Sequence, residues 1–139
     1  MLNYIKALLV AIKAHKGQRD KGGHWYIWHP IRVSLGVKGV SAKVVALLHD
    51  VLEDSDTTIE DLNFLSEDQR QALLLMTHDK SVDYSEYIKR IKGNCLARAV
   101  KISDLRQNMN LSRLKNVTEV DRTRNKKYLK ALKLLTETV

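Results

Sequence analysis

Two histidine–aspartate pairs concentrate the groups able to do chemistry in this chain: His49-Asp50 in ALLHDVLEDSDTT (46–58) and His78-Asp79 in LMTHDKS (75–81). A helix turns about 100° per residue, so with His49 at zero, Glu53 falls at about 40°, Asp50 at about 100° and Asp54 at about 140°. Val44, Val45, Leu47, Leu48, Val51 and Leu52 take the remaining side. Four ionisable groups on one arc near a helix C-terminus repel one another and oppose the helix dipole. A divalent cation removes both penalties, and imidazole combined with carboxylate oxygens suits Mn²⁺, Fe²⁺ or Zn²⁺. His78-Asp79 has no carboxylate one turn later and is followed by Lys80. That pair is expected to end a helix, where histidine and lysine complement the dipole.

A cation needs further ligands, and three positions are candidates. His29 directly precedes Pro30, which suits it to cap the helix that the proline begins. Asp104 lies in AVKISDLRQNM (99–109) among Leu96, Ile102, Leu105 and Met109. A carboxylate in such a buried helix requires a partner, either a cation or the nearby Lys101 or Arg106. Asn108, one turn on, shares the face of Asp104 and Lys101. His15 reads as a polar residue at a helix end and His24 as a loop residue.

These groups lie far apart in sequence, so packed elements must bring them together. Apolar spacing of three and four predicts helices over 2–15, 30–38, 41–52, 58–63, 67–76, 83–92, 94–110 and 118–136. Leu2, Ile5, Leu8, Leu9 and Ile12 mark the core-facing side of the first. Thr58 is an expected N-cap with Asp61 in the capping-box position, and Ser66 caps the next helix with Glu67 in its first turn. The longest irregular stretch is KGQRDKGGHWYIWH (16–29), in which HWYIW is at most a short extended piece, too little for a sheet. Sustained strand alternation is absent, so the expected fold is all-α. Pro30 is the only proline and no Ser/Gly-rich segment occurs, which argues for one domain over 1–139.

A formal net charge of +8 and a pI of about 9.6 favour anionic partners. Much of the excess lies in SRLKNVTEVDRTRNKKYLKALKLL (112–135), whose cations are expected on a solvated helix face. Aromatic residues are few, at 6%, leaving little for base stacking, so nucleic acid is not the expected partner. Cys95 is the only cysteine, the usage of a reducing compartment, and the cytoplasm is the expected location. The first segment is too interrupted by lysines for a signal peptide, and no apolar run reaches membrane-spanning length.

In order and spacing, AHKGQRDKGGHWYIWHPIRV (14–33), VVALLHDVLEDSDTT (44–58) and VKISDLRQNM (100–109) resemble the HD-domain hydrolases of guanosine tetraphosphate, the hydrolase half of the Rel/Spo enzymes and their small single-domain relatives. The resemblance implies an all-helical HD-domain bundle with Mn²⁺ held by His29, His49, Asp50 and Asp104. It implies that Glu53 and Asp54 serve the catalytic water, and that Asn108, Tyr84 and Tyr87 line the nucleotide site. The implied reaction removes the 3′-pyrophosphate of guanosine tetraphosphate or pentaphosphate, giving pyrophosphate and GDP or GTP. Lys21 is the first expected phosphate ligand, with Arg19 and Arg106 behind it. Asp20-Lys21 stand where the long enzymes carry Arg-Lys, and Trp25 where proline is usual, so Arg19 is expected to take the arginine's place against the purine. Two alternatives are an HD phosphohydrolase of another nucleotide (a nucleoside monophosphate, a deoxynucleotide or NADPH) and a non-catalytic module binding nucleotide or nucleic acid.

Overall fold

In the computed structural model, which describes residues 1–137, the most apolar stretch of the chain becomes its central element. Within α3 (Val40–Leu48) the side chains of Ala42 and of Val44 through Leu48 are all buried. A helix apolar on every side must be enclosed. Four helices enclose it: α1 (Leu2–Ala14), α2 (Trp28–Leu35), α5 (Glu67–Met76) and α7 (Cys95–Asn108). A short α4 (Val51–Asp54) continues α3, while α6 (Tyr84–Lys92) and α8 (Glu119–Thr136) pack on each other and on α7. Val45 and Ala46 join one buried cluster with Val33, Met76, Ile88, Val100 and Leu135. Val44, Leu47 and Leu48 join a second with Ala7, Ala11, Val51, Leu62 and Leu73. Among the described residues the only β pairing is an isolated bridge between Arg19 and Trp25, so the fold is all-helical as expected.

Several local expectations are corrected. The helix expected over 41–52 is broken at His49: its N–H takes the Ala46 carbonyl three residues back, at 3.4 Å, before regular bonding resumes from Asp54 N–H to Asp50 O. The 58–63 segment is a 3₁₀ turn, Ile59–Asp61, closed by the Thr58–Asp61 capping box. Ser66 caps α5 as expected, its box completed by Gln69. The inward side of α1 is also not the one expected. Ala7 and Ala11 are fully buried and Leu8 packs beside them, whereas Leu2, Ile5, Leu9 and Ile12 are exposed. Small residues let α1 approach α3 closely, and that proximity outweighs the larger apolar area on the other side.

α2 and α7, which carry His29 and Asp104, are held together at Gly36. A Cβ built there would lie 2.3 Å from Ser103 Oγ, and that hydroxyl is committed as donor to Val33 O at 2.8 Å. Gly36→Ala is therefore expected to displace a buried, bonded side chain and cost about 1–3 kcal/mol, read as a lower urea midpoint.

Candidate metal centre

Three helices deliver four polar atoms to one buried point. His29 enters in the first turn of α2, His49 caps the C-terminus of α3, Asp50 follows it, and Asp104 comes from the third turn of α7. His29 is not the N-cap expected: α2 starts at Trp28, with Trp28 and His29 N–H groups bonded to the carbonyls of Trp25 and Tyr26. Pro30 is thus the third helical residue, a position whose N–H has no partner within the helix in any case. His29 Nε2 lies 2.9 Å from Asp104 Oδ1 and 3.8 Å from Asp50 Oδ2, and His49 Nε2 lies 3.1 Å from Asp50 Oδ2 and 3.3 Å from Asp104 Oδ1. The four atoms form a closed ring.

His49 shows that the ring suits a cation. Its Nδ1–H donates to Ala46 O at 2.6 Å, which fixes the tautomer and leaves Nε2 a lone pair. That nitrogen is buried without a hydrogen-bond partner, facing two carboxylate oxygens. Lone pair against anion is repulsive unless positive charge lies between them, supplied by a bound cation or, in metal-free protein, by a proton on Nε2. A cation bound at about 2.0–2.2 Å from nitrogen and oxygen donors sets neighbouring donors about 3 Å apart, close to the separations seen. His29, His49 and Asp104 are all buried.

An outer layer fixes the carboxylates. The Tyr26 hydroxyl donates to Asp50 Oδ2, Asn108 Nδ2 donates to Asp104 Oδ1 at 3.1 Å, and Lys101 Nζ donates to Asp104 Oδ2 at 2.9 Å. Burial acts to raise the Asp104 carboxyl, but the Lys101 ammonium and the His49 imidazole hold it well below the usual range. Asp50, half-buried, is held at about 2 by His49. Burial pushes the Tyr26 phenol up, and the Asp50 charge pushes it further. His49 itself, which burial would lower, is raised well above an ordinary imidazole by Asp50 and Asp104.

The raised His49 has a measurable sign. A group whose folded pKa is raised contributes stability that is complete below the unfolded value, about 6.5, and is lost as pH rises through the folded value. Metal-free protein is expected to lose up to about 1.4 kcal/mol per pH unit in that window. Thermal melts in chelator across neutral and alkaline pH measure the trend, and saturating Mn²⁺ should abolish it.

Two cavities flank the ring. One is lined by Arg19, Lys21, Tyr26, Asn108, Arg124 and Tyr128, among others. The second is lined by His49, Asp50, Glu53, His78, Tyr84, Tyr87, Lys101, Lys127 and Tyr128. Of the expected site residues, His29 and Asp104 lie buried in the ring behind these spaces and most of the others line them, but Asp54 and Arg106 belong to neither. Asp54 lines a separate groove beside Lys13 and Asp61, its carboxyl raised by burial and by Asp50. Arg106 is exposed and lines neither cavity. Arg19 is exposed, with its guanidinium 3.8 Å from the centre of the Trp25 ring and Nη1 donating to Gly23 O. Lys21 Nζ lies 4.0 Å from Asp121. Tyr87 is buried and donates to Met76 O at 2.6 Å. The pair His78-Asp79 stands outside the ring, as expected, but beyond the end of α5 rather than within its last turn.

Known proteins resemble this chain over part or most of its length. The guanosine-3′,5′-bis(diphosphate) 3′-pyrophosphohydrolase of Borreliella burgdorferi is 43% identical over 61 residues, and the bifunctional (p)ppGpp synthase/hydrolase SpoT of Escherichia coli (strain K12) 39% over 64. Those matches cover 41% and 43% of this chain but 9% of each relative. No family model matches. The guanosine-3′,5′-bis(diphosphate) 3′-pyrophosphohydrolase MESH1 of Drosophila melanogaster is 32% identical over 121 residues, 76% of this chain and 67% of that protein. The chain belongs to this pyrophosphohydrolase family. A solved structure of a metazoan ortholog of SpoT that hydrolyzes ppGpp and plays a role in starvation responses agrees in fold, with a TM-score of 0.77 at 25% identity over 97% of this chain and 85% of that one.

Within this pyrophosphohydrolase scaffold, sequence reasoning missed several cavity residues. Tyr26 was hidden because an aromatic residue beside an apolar one reads as packing. Arg124, Lys127 and Tyr128 fall in the basic segment assigned to a solvated face. Arg122, Lys126, Lys130 and Lys133 are exposed, but Arg124 is half-buried and, with Lys127, turned to the cavities. Their spacing was the available signal, since Arg124, Lys127 and Tyr128 recur at three and four residues on one side of α8. His15, read as a polar helix-end residue, is buried with its ring 4.9 Å from Tyr26 and its Nδ1 2.9 Å from Gln18 Oε1. His24 is an exposed loop residue, as read.

Proposed function

We propose that this chain hydrolyses the 3′-pyrophosphate of guanosine tetraphosphate and pentaphosphate, releasing pyrophosphate and GDP or GTP, with Mn²⁺ as its cation. The observation that carries this reading is the buried ring of two imidazole nitrogens and two carboxylate oxygens, flanked by cavities that cations line. The activity named for the relatives supports it. His29, His49, Asp50 and Asp104 would hold the cation. When bound, it supplies a lowered pKa for water and neutralisation of pyrophosphate oxygens. Glu53, in the same cavity as His49 and Asp50, takes the proton of the attacking water, whereas Asp54, turned into a separate groove, acts on it only as a neighbouring charge. Lys21 and Arg124 hold phosphate oxygens, Arg19 faces the base, and Asn108 orients both Asp104 and the nucleotide. Tyr84 and Tyr87 wall the cavity. Arg106, exposed and away from both cavities, takes no part.

A second reading, hydrolysis of another nucleotide at the same centre, is favoured by Asp20 and by the commitment of Arg19 to Trp25 and Gly23. The same proposal includes one domain across the chain and action on a free nucleotide in the cytoplasm. It is supported by the single cysteine and by the lack, among the described residues, of a helix long and apolar enough to cross a membrane. The deciding experiment measures pyrophosphate release from guanosine tetraphosphate with Mn²⁺ and with chelator, beside a nucleotide panel. Mn²⁺-dependent release selective for the tetraphosphate supports the first reading. Release from other nucleotides alone replaces the substrate, and binding without turnover replaces the enzyme with a binding module.

A further inference from the structure

The second histidine–aspartate pair is outside the metal ring, yet it is built into the cavity that the ring faces. At the end of α5, Thr77 N–H returns to the Leu73 and Leu74 carbonyls. The next amide, that of His78, is directed across the molecule and donates to Glu53 Oε1 at 2.5 Å, from 25 residues away in sequence. Everything around His78 fixes that amide. Its ring stacks on Tyr87 with centroids 4.4 Å apart and planes 28° from parallel. Its Nε2–H donates to Val82 O at 2.8 Å. Tyr87 in turn donates to Met76 O, tying the same turn from the other side. Asp79 closes it by accepting from the Ser81 N–H and hydroxyl at 2.9 and 2.8 Å.

We infer that His78 is a positioning residue for Glu53: its amide holds one carboxylate oxygen of the proposed general base, and its ring, clamped between Tyr87 and Val82, holds the amide. This rests on the reaction proposed above. Glu53 is an exposed side chain on a four-residue helix, with several rotamers open to it in solution. A charge-assisted bond to a fixed amide selects one of them. With Oε1 so engaged, Oε2 is the oxygen left to take the proton of water. Placement errors of about 1 Å in such a group cost on the order of 100-fold in rate.

The test uses Mn²⁺-loaded protein and three substitutions. His78→Pro removes the amide donor, and Thr77, already extended at ψ 107°, accepts a following proline. His78→Ala keeps the amide but loses the clamp, and His78→Phe keeps the amide and the stack. The expected result is a fall in kcat of about 100-fold for His78→Pro and about 10-fold for His78→Ala, with KM and Mn²⁺ affinity within about twofold of wild type and kcat largely recovered in His78→Phe. A loss that is structural only would change all three together, lowering kcat and Mn²⁺ affinity and raising KM. A second readout needs no substrate: amide hydrogen exchange of residues 77–79, by mass spectrometry, should accelerate at least tenfold in Glu53→Ala. Folded His78→Pro with wild-type kcat, or exchange indifferent to Glu53→Ala, overturns the inference. If the wild type turns over no nucleotide, the proposed reaction fails, and exchange alone decides whether His78 holds Glu53.

Discussion

Asp50→Ala is expected to remove turnover and to weaken Mn²⁺ binding by more than about 100-fold, beyond the loss that follows removal of an outer partner. Asp50 Oδ2 is the oxygen that closes the ring, within 3.1 Å of His49 Nε2 and 3.8 Å of His29 Nε2. Its loss leaves three donors, removes one of two negative charges, and strands the Tyr26 hydroxyl that it accepts. With the general base undirected toward any activated water, kcat/KM should fall by about 1000-fold or more. Asp79→Ala is the matched control for metal binding, since the Asp79 carboxylate accepts from Ser81 outside the ring: Mn²⁺ affinity should stay at the wild-type level, and any fall in kcat should be only the small one expected from loosening the turn that carries the His78 amide. Manganese binding by titration calorimetry and pyrophosphate release settle both. Normal binding in Asp50→Ala together with loss in Asp79→Ala would place the metal at the other pair.

Lys101→Met should produce the largest loss of stability, about 3–5 kcal/mol in chelator, read from urea unfolding. The Lys101–Asp104 pair is buried on both sides, with side chains 13% and 5% exposed. The ammonium is raised by Asp104 despite burial, and the carboxyl is lowered in return. Removing the lysine leaves the buried Asp104 carboxylate beside Asp50 without its ammonium partner, with the His29 and His49 imidazoles and the Asn108 amide still facing it. Asp104→Asn added to Lys101→Met removes that charge and should recover much of the loss. The pH dependence has a definite sign. A depressed carboxyl contributes stability that is present above the unfolded value, about 3.9, and is lost as pH falls through the folded value. Wild type should therefore lose stability in acid below about pH 4, and Lys101→Met should show less of that loss.

His49-Asp50 and Asp104 were legible in sequence because charge placed beside apolar residues demands compensation, and that demand is local. His29 was legible as a candidate, but its place in the helix was misread, because a proline marks the first turn without fixing which residue of the turn it is. α1 shows a different limit. It carries two apolar sides, and periodicity alone cannot rank Ala7 and Ala11 above Leu9 and Ile12; only the close approach of α3 does so. Tyr26, Lys127 and the amide of His78 act through partners 24 residues or more away, or across a cavity, and no local pattern encodes such distances. The resemblance located the candidate ligands by position, whereas packing decided which charges of α8 face the cavities.

The donors of the ring are drawn from positions 29 to 104 and coincide only after α2, α3 and α7 have packed. An unfolded chain offers no such constellation, so a cation bound there is thermodynamically a ligand of the native state alone. By mass action, free cation at about 100 times its dissociation constant adds about 2.7 kcal/mol to the unfolding free energy. Depletion of the metal would then reduce how much of the chain is folded, exposing it to proteolysis, and not merely slow each molecule that remains.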